Sequence, residues 1–345
     1  MKNRKKNILV IKFSAMGDLI LITPVLRALK VKYPDSHLTL VVARHNASLL
    51  TAWPYIDEIM PVSVPFQRSF SFSDFVGFTR FLFQLRHRRY HLVFNFQGNV
   101  RSYLIEFFAQ PGLRKKLLAL KRIIPLLFLP PKFRRGKMQK GYPVDVWLAH
   151  LQESGIPPAG THLEFFFHPE EKEEAKTLIS DIPSSALIVG INPGVNWESK
   201  RYPEERYAEI ANQLIEEFGA YIVIFGGPED IEKARMVEKN IRHREKVKNL
   251  AGKTRTLNIA SGVIKHCRLF ITNDSGLMHC AAAVGVPTIS LFGGTHPSLH
   301  SPRGPHHFSF FGGDSLPCSP CYRYWCSNPV KRACFHSITP ELVVS

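Results

Sequence analysis

The stretch Leu269-Phe-Ile-Thr-Asn-Asp-Ser-Gly-Leu-Met-His-Cys-Ala-Ala-Ala-Val-Gly-Val-Pro-Thr-Ile-Ser-Leu291 decides the fold. Its two ends, Leu269 to Thr272 and Thr288 to Leu291, are short apolar runs of the kind that form buried strands. Between them, Asp274 and Ser275 are residue types that begin helices. Ser275 to Ala283 has helical length, and its last run, Ala281-Ala-Ala, followed by Gly285, has little side-chain bulk. A strand, a helix and a second strand in so short a span make a parallel crossover.

The same alternation extends in both directions. The second half places further strands at Leu187 to Ile191, Tyr221 to Phe225 and Val247 to Leu250, and helices at Pro203 to Phe218, Glu229 to Asn240 and Thr256 to Lys265. The first half places strands at Ile8 to Phe13, Leu38 to Ala43, Glu58 to Val62 and Leu92 to Phe96, with a helix at Leu19 to Lys32. A chain of 345 residues exceeds one ordinary core of roughly 100 to 200 residues. Glu153-Ser-Gly-Ile-Pro-Pro-Ala-Gly-Thr161 cannot extend a helix and reads as a linker. The expected architecture is therefore α/β, two Rossmann-like doubly wound domains spanning 1–160 and 161–345 and facing a central cleft. In such sheets ligands bind beyond the carboxyl ends of the strands, so the informative residues follow the strands.

Hydrophobic residues make up 45% and charged residues 21%, a globular composition. The net charge of +17 is uneven, because residues 1–165 carry 25 Lys+Arg against 9 Asp+Glu and the remainder is nearly neutral. The first domain is thus expected to meet an anionic partner, whether nucleic acid, phospholipid or acidic saccharide. No nucleic-acid-binding motif accompanies the charge, so no nucleic acid is expected. No run of about 18 apolar residues suggests a membrane span. Met1-Lys-Asn-Arg-Lys-Lys6 reads as a basic tail leading into the first strand. Between Phe107 and Val144 stand ten Lys/Arg and no acid, together with the apolar run Ile123 to Leu129. That segment suits a membrane surface, or a buried element with solvated charged flanks. Cys267 and Cys280 read as buried reduced thiols, which favours a cytoplasmic location. Near the C-terminus, in a tail spanning 318–334, Cys318, Cys321, Cys326 and Cys334 follow the spacing C-x2-C-x4-C-x7-C. A structural zinc ion, disulfides or free thiols all fit that spacing.

Three segments carry candidate chemistry. Asp18 follows the first strand in Phe13-Ser-Ala-Met-Gly-Asp18, where it either complements a helix dipole or serves as a general base. Lys200 follows the first strand of the second domain, just ahead of Pro203-Glu-Glu, where a lysine either is solvated or holds a phosphate. Ser275-Gly276 opens a helix whose N–H groups suit a diphosphate, with Asp274 and His279 beside it. Gly252-Lys253-Thr254 is not a P-loop, because Val247 stands where that motif needs glycine. No G-x-G-x-x-G follows either first strand, which leaves nicotinamide and flavin chemistry without support.

Together these segments resemble glycosyltransferase family 9, the ADP-heptose:lipopolysaccharide heptosyltransferases, and within it the second-heptose type. The resemblance rests on Ile11-Lys-Phe-Ser-Ala-Met-Gly-Asp18, Asn192-Pro-Gly, Lys200-Arg-Tyr-Pro, Phe225-Gly-Gly-Pro, Asn249-Leu-Ala-Gly-Lys-Thr, Asn273-Asp-Ser-Gly-Leu-Met-His279, Cys318-Ser-Pro-Cys and Ile338-Thr-Pro-Glu-Leu. It implies a GT-B fold, with acceptor bound mainly by the first domain and nucleotide sugar by the second. It further implies inverting, metal-independent transfer of heptose from ADP-L-glycero-D-manno-heptose to the lipopolysaccharide inner core, with no cofactor, at the cytoplasmic face of the inner membrane. By position, Asp18 resembles the family's base and Lys200 the group that neutralises the departing ADP. Asn196, Asp274, Ser275, Gly276 and His279 resemble donor contacts, Glu229 or Asp230 the ribose-binding acid, and Arg255 lies where the backbone meets adenine. Val195 and Asn196 replace two threonines of the first-heptose type, and the chain stops at Ser345 where relatives usually continue into a helix. The rival expectations are a family-9 enzyme using another nucleotide sugar and a noncatalytic sugar-nucleotide or lipopolysaccharide-binding protein.

Overall fold

Asn-Ile-Leu-Val-Ile forms a strand because every residue after the first is apolar and both faces are covered, as in the parallel sheets of α/β proteins. This is β1 (Asn7–Ile11) of the computed structural model, which describes residues 6–13, 15–63, 72–110 and 141–345. The chain divides into two compact units, Met1–Thr161 and His162–Ser345.

In the first unit, β1 pairs in parallel with β2 (His37–Ala43) and β4 (Leu92–Asn95), and β2 with β3 (Glu58–Val62), giving the order β3-β2-β1-β4. Leu9, Ile11, Val41 and Met60 bury one face of that sheet against Phe78, Phe81, Leu82 and Leu85 of the helix Phe72–His87, and against Ile105 of the helix Val100–Ala109. Each such aliphatic side chain contributes about 1.5–3 kcal/mol when fully buried.

The second unit holds six parallel strands. They are β5 (Ile188–Asn192), β6 (Tyr221–Ile224), β7 (Val247–Asn249), β8 (Leu269–Asn273), β9 (Thr288–Phe292) and β10 (His307–Phe311), in the order β10-β9-β8-β5-β6-β7. That order is the doubly wound arrangement, with the winding reversing between β5 and β8. Alternate strand residues face opposite layers. Val189, Ile191, Ile222, Ile224 and Ile271 join a core with the helices Glu204–Phe218 and Ile231–Asn240, while Ile188, Val223, Phe225 and Phe270 join another with Ala175, Ala260 and Val263.

The α/β expectation holds, and several details differ from the sequence reading. The helix expected over Leu19 to Lys32 is two helices, Met16–Leu21 and Thr23–Lys32. Pro24 has no N–H to give, and the Thr23 hydroxyl instead donates to the Ile20 carbonyl at 2.9 Å. The helix expected from Glu229 begins as a 3-10 turn, Pro228–Asp230. β10 was not anticipated, because His-Phe-Ser-Phe-Phe alternates instead of presenting an apolar run. The helix Pro169–Thr177 was missed because Ala175 is its only buried residue. The basic tail at 1–5, the run Ile123 to Leu129 and its ten flanking cations at 114–140 lie outside the described residues. No described helix is long and apolar enough to cross a membrane.

Gly190, at the centre of β5, marks a close approach. A Cβ there would stand 2.5 Å from a ring carbon of Phe270 and 3.1 Å from one of Phe225, two fully buried rings packed edge to face. We expect Gly190→Ala to cost about 1–3 kcal/mol in urea unfolding, the usual range for overpacking a filled core. Unchanged stability would mean that the two rings move aside freely.

Candidate functional site

In a parallel sheet the loops on either side of a reversal in winding diverge, and the gap between them opens at the carboxyl ends of the strands. The reversals lie between β1 and β4 in the first unit and between β5 and β8 in the second. Asp18 follows β1, Lys200 follows β5, and Asp274, Ser275 and Gly276 follow β8.

In the first unit, Asp18 sits in the first turn of Met16–Leu21, and its Oδ2 accepts from the Ala15 N–H at 3.3 Å. The same oxygen accepts from the Lys12 ammonium at 2.7 Å. Lys12 is almost wholly buried, with Nζ 5.1 Å from the centre of the Trp147 ring. A buried ammonium needs an anionic partner, so the carboxylate is tied in place at one oxygen while 40% of its side chain stays exposed. Around it the backbone is pinned by side-chain amides. Gln97 Oε1 accepts from the Phe13 N–H at 3.1 Å, and Asn46 Nδ2 donates to the Phe13 carbonyl at 3.2 Å. Arg101, half-buried in the first turn of Val100–Ala109 beyond β4, has its pKa lowered by burial.

In the second unit, Lys200 closes the 3-10 turn Glu198–Lys200. Its ammonium lies 2.7 Å from Asp274 Oδ2 and 4.8 Å from the Trp197 ring centre. Thr295 Oγ1 donates to the same Asp274 oxygen at 2.7 Å. Burial alone would raise the Asp274 carboxyl. The charges of Lys200 and His300 and the hydrogen bonds from Lys200 and Thr295 outweigh that penalty and hold it below its ordinary value of 3.8. Ser275 is the N-cap of Gly276–Ala283, yet its hydroxyl makes no capping bond. It accepts from Asn192 Nδ2 at 2.9 Å and lies 3.2 Å from Thr272 Oγ1. The first-turn N–H groups of that helix therefore have no side-chain cap, and a helix N-terminus in that state attracts an anion. Asn273 ties the two loops together, accepting from the Tyr202 N–H and donating to the Pro193 carbonyl, both at 2.9 Å.

The remaining candidates fall into two groups. Asn196 and Glu229 are exposed, and His279 is buried in Gly276–Ala283. Asp230 is also buried. It pairs with Lys233, accepts from the Gly227 N–H at 3.2 Å, and lies so near Gly194 that a Cβ there would collide with its Oδ2. The Asp230 carboxylate is thus engaged in holding its own loop, whereas Glu229 is open to solvent. The Arg255 side chain is paired with Glu174 through both carboxylate oxygens. Lys12, Asn192 and Thr295 were not anticipated. Lys12 reads in the sequence as an ordinary lysine at the end of an apolar strand, Asn192 stands in the Asn192-Pro-Gly segment without a role of its own, and Thr295 carried no signal short of three dimensions.

Comparison with known proteins gives one consistent answer. The profile of glycosyltransferase family 9 (heptosyltransferase) matches residues 78–331. The lipooligosaccharide heptosyltransferase 2 of Haemophilus influenzae is 30% identical over 310 residues, covering 86% of each chain. Among solved structures, a family 9 glycosyl transferase from Veillonella parvula superposes with a TM-score of 0.75 at 24% identity, over 90% of this chain and 87% of that one. The ADP-heptose lipopolysaccharide heptosyltransferase II of Escherichia coli superposes with a TM-score of 0.73 at 23% identity, over 98% and 96%.

Removing one partner of a buried ion pair leaves the other charge stranded. Lys200→Met is expected to destabilise the second unit by about 3 kcal/mol at neutral pH, and Lys200→Met with Asp274→Leu to recover most of that loss. The depressed Asp274 carboxyl contributes stability that is present above its ordinary 3.8 and is lost as pH falls through its lower folded value. Asp274→Asn should therefore flatten the acid limb of the stability curve below about pH 4. Purely additive losses in the double-mutant cycle, or an unchanged acid limb, would show that the pair carries no coupling.

Proposed function

The chain belongs to glycosyltransferase family 9, and we propose from that premise that it transfers heptose from ADP-heptose to the inner core of lipopolysaccharide. It has the GT-B class of fold, two parallel-sheet units each wound on both sides. The observation that carries the reading is the cradle at the ends of β5 and β8. There an uncapped helix start and a lysine held by a buried carboxylate converge at the reversal of a doubly wound sheet. That combination suits a nucleoside diphosphate.

In the proposed reaction the acceptor hydroxyl attacks the anomeric carbon of the heptose from the face opposite ADP. The carbon–oxygen bond to the β-phosphate breaks and the configuration inverts. Asp18 takes the hydroxyl proton. Both hydrogen bonds to its carboxylate among the described residues land on Oδ2, so Oδ1 is the atom assigned to that task. Lys200 meets the negative charge that grows on the leaving diphosphate. It has three N–H groups, of which Asp274 uses one. The N–H groups at Ser275 and Gly276 supply further positive potential from the protein itself. Asn196 and His279 belong to the same donor region. Glu229, being exposed where Asp230 is engaged, is assigned to the ribose hydroxyls, and the backbone at Arg255 to adenine. The first unit is assigned the acceptor, whose acidic sugars and phosphates suit a half of the chain with 25 cations against 9 acids. Arg101 stands beyond the carboxyl end of β4, where it is assigned to that acceptor. Because that acceptor is anchored in a bilayer, we place the enzyme against the cytoplasmic face of the inner membrane.

The test is release of ADP on mixing the protein with ADP-heptose and purified inner-core lipopolysaccharide. Asp18→Asn is expected to lower turnover by about 100-fold or more, and Lys200→Ala by a similar factor, since losing one such transition-state contact typically costs about 2.7–4 kcal/mol of barrier. Both are assayed where circular dichroism shows the variant folded. Near-normal turnover in Asp18→Asn would remove it as the base. Release from UDP- or GDP-sugars in place of ADP-heptose would keep the mechanism and overturn the donor, and binding without release under every condition would overturn the enzyme.

A further inference from the structure

The helix Phe72–His87 runs into β4 through Leu85-Arg-His-Arg-Arg-Tyr-His91, which carries three arginines, two histidines and no acid. Asn7, at the start of β1, pins this connection to the sheet. Its N–H donates to His91 Nδ1 at 3.0 Å, its Nδ2 donates to the Arg89 carbonyl at 3.3 Å, and its carbonyl accepts from the His91 N–H at 2.8 Å. The connection therefore lies at the amino ends of the strands. Asp18 follows the carboxyl end of β1, and the five residues of that strand, at about 3.3 Å each, set the two edges roughly 16 Å apart.

This connection and the end of the helix Val100–Ala109 enclose a cavity of about 550 Å³. Arg86, Arg88, Arg89 and His91 supply its basic lining; Phe108 and Gln110 enter it from the last turn and C-cap of that helix. Arg88 is committed to Glu58 of β3. Arg86 and Arg89 are exposed, and neither has a carboxylate partner among the described residues. His91 accepts at Nδ1, so in the neutral ring Nε2 is the nitrogen that carries hydrogen. Gln110 is the decisive group. It is 8% exposed and lines the cavity, and among the described residues no hydrogen bond reaches its amide. A buried amide without a partner is unfavourable, and a polar ligand in the cavity removes that penalty. The negative poles of two helix ends attract basic residues to this spot, but they give the Gln110 amide and two guanidinium forks nothing to bond.

The lining selects a phosphate ester. Guanidinium forks match phosphate oxygens two at a time, and the Gln110 amide and the His91 ring each donate a further N–H. The half-buried Phe108 ring, edge to face with Phe83 at 6.0 Å, offers an apolar surface beside them. A cavity within the roughly 300–1,000 Å³ range of small-molecule sites is far larger than phosphate alone, so the phosphate carries an organic body.

We propose that this cavity binds a phosphate ester, with Arg86, Arg89, His91 and Gln110 on the phosphate oxygens and Phe108 against the organic body. Two sources share that chemistry, the headgroup of an anionic phospholipid and a free phosphorylated metabolite. No bond is made or broken there, and the site is independent of the heptosyl-transfer reading because it lies at the edge remote from Asp18.

The full chain is titrated with sn-glycerol 3-phosphate by calorimetry and, at the same ionic strength, floated with vesicles of phosphatidylglycerol and with vesicles of phosphatidylcholine alone. Binding to phosphatidylglycerol without binding to glycerol phosphate assigns the headgroup; binding to glycerol phosphate assigns the metabolite. In whichever arm binds, Arg86→Gln with Arg89→Gln is expected to weaken binding about 30-fold, at about five-fold for each basic residue. Gln110→Leu should weaken it about five-fold, the usual worth of one hydrogen bond. Arg80→Gln with Arg235→Gln removes two exposed arginines elsewhere and should change binding by less than about two-fold, since screening confines their reach. Circular dichroism checks each fold, and should Gln110→Leu fail to fold, the arginine pair on exposed side chains still decides. Equal losses in the control pair would assign the binding to the general field of the chain, and loss confined to Lys200→Ala would assign it to the donor cradle. Either result, or no binding of any probe to the wild type, would overturn the site.

Discussion

Each unit depends on one lysine–carboxylate pair in which one member is buried and the other is not. In the first, the Lys12 side chain is 5% exposed and Asp18 40%; in the second, Asp274 is 7% exposed and Lys200 16%. The two pairs are built in opposite sense. A buried charge has lost its water and keeps its partner as the main compensation, so its position is fixed by the cost of being left alone. The more exposed member inherits that fixed position while keeping an edge open to a ligand. In the proposed mechanism the base and the diphosphate cation are the more exposed members, and the more buried ones orient them.

The surrounding polar groups follow from the same constraint. Withdrawing Asp274 from water is tolerable because Thr295 and Lys200 both reach Oδ2, and Thr295 is placed by the paired glycines after β9, where a Cβ on Gly294 would collide with Ser199. Asn192 and Asn273, at the ends of adjacent strands, spend their amides on the loops leaving those strands. One of those bonds draws the Ser275 hydroxyl away from its own helix, which leaves the helix start to attract an anion. Rigidity of the lysine turn and openness of the anion cradle thus come from one network.

The strands were legible because a parallel sheet buried on both faces leaves an apolar run in the sequence, as in β1, β5 and β8. Asp18, Lys200 and the 274–276 turn were legible because the strands ending before them were. What escaped has definite physical reasons. Lys12 reads as an ordinary surface lysine until Trp147 and Asp18, remote and near in the chain, are seen to enclose it. Glu229 and Asp230 are adjacent acids, and only the fold, which buries Asp230 against Gly194 and pairs it with Lys233, distinguishes the engaged one from the open one. The break between Met16–Leu21 and Thr23–Lys32 was written in Pro24, but the apolar period runs through it without interruption. The helix Pro169–Thr177 has almost no apolar face to read.

The difference in charge between the halves finds its account in the sizes of the anions they would hold. A diphosphate needs local potential at one point, which a helix start and one ammonium supply without any excess of basic residues. A core oligosaccharide of acidic sugars and phosphates is anionic along its length, and only a broad surplus of cations answers it. Screening sharpens the contrast, because exposed charges act over about 10 Å at moderate salt while a partly buried lysine beside a helix start is shielded much less. On the proposed assignment, donor affinity is set by a few fixed groups and acceptor capture by the field of a whole domain.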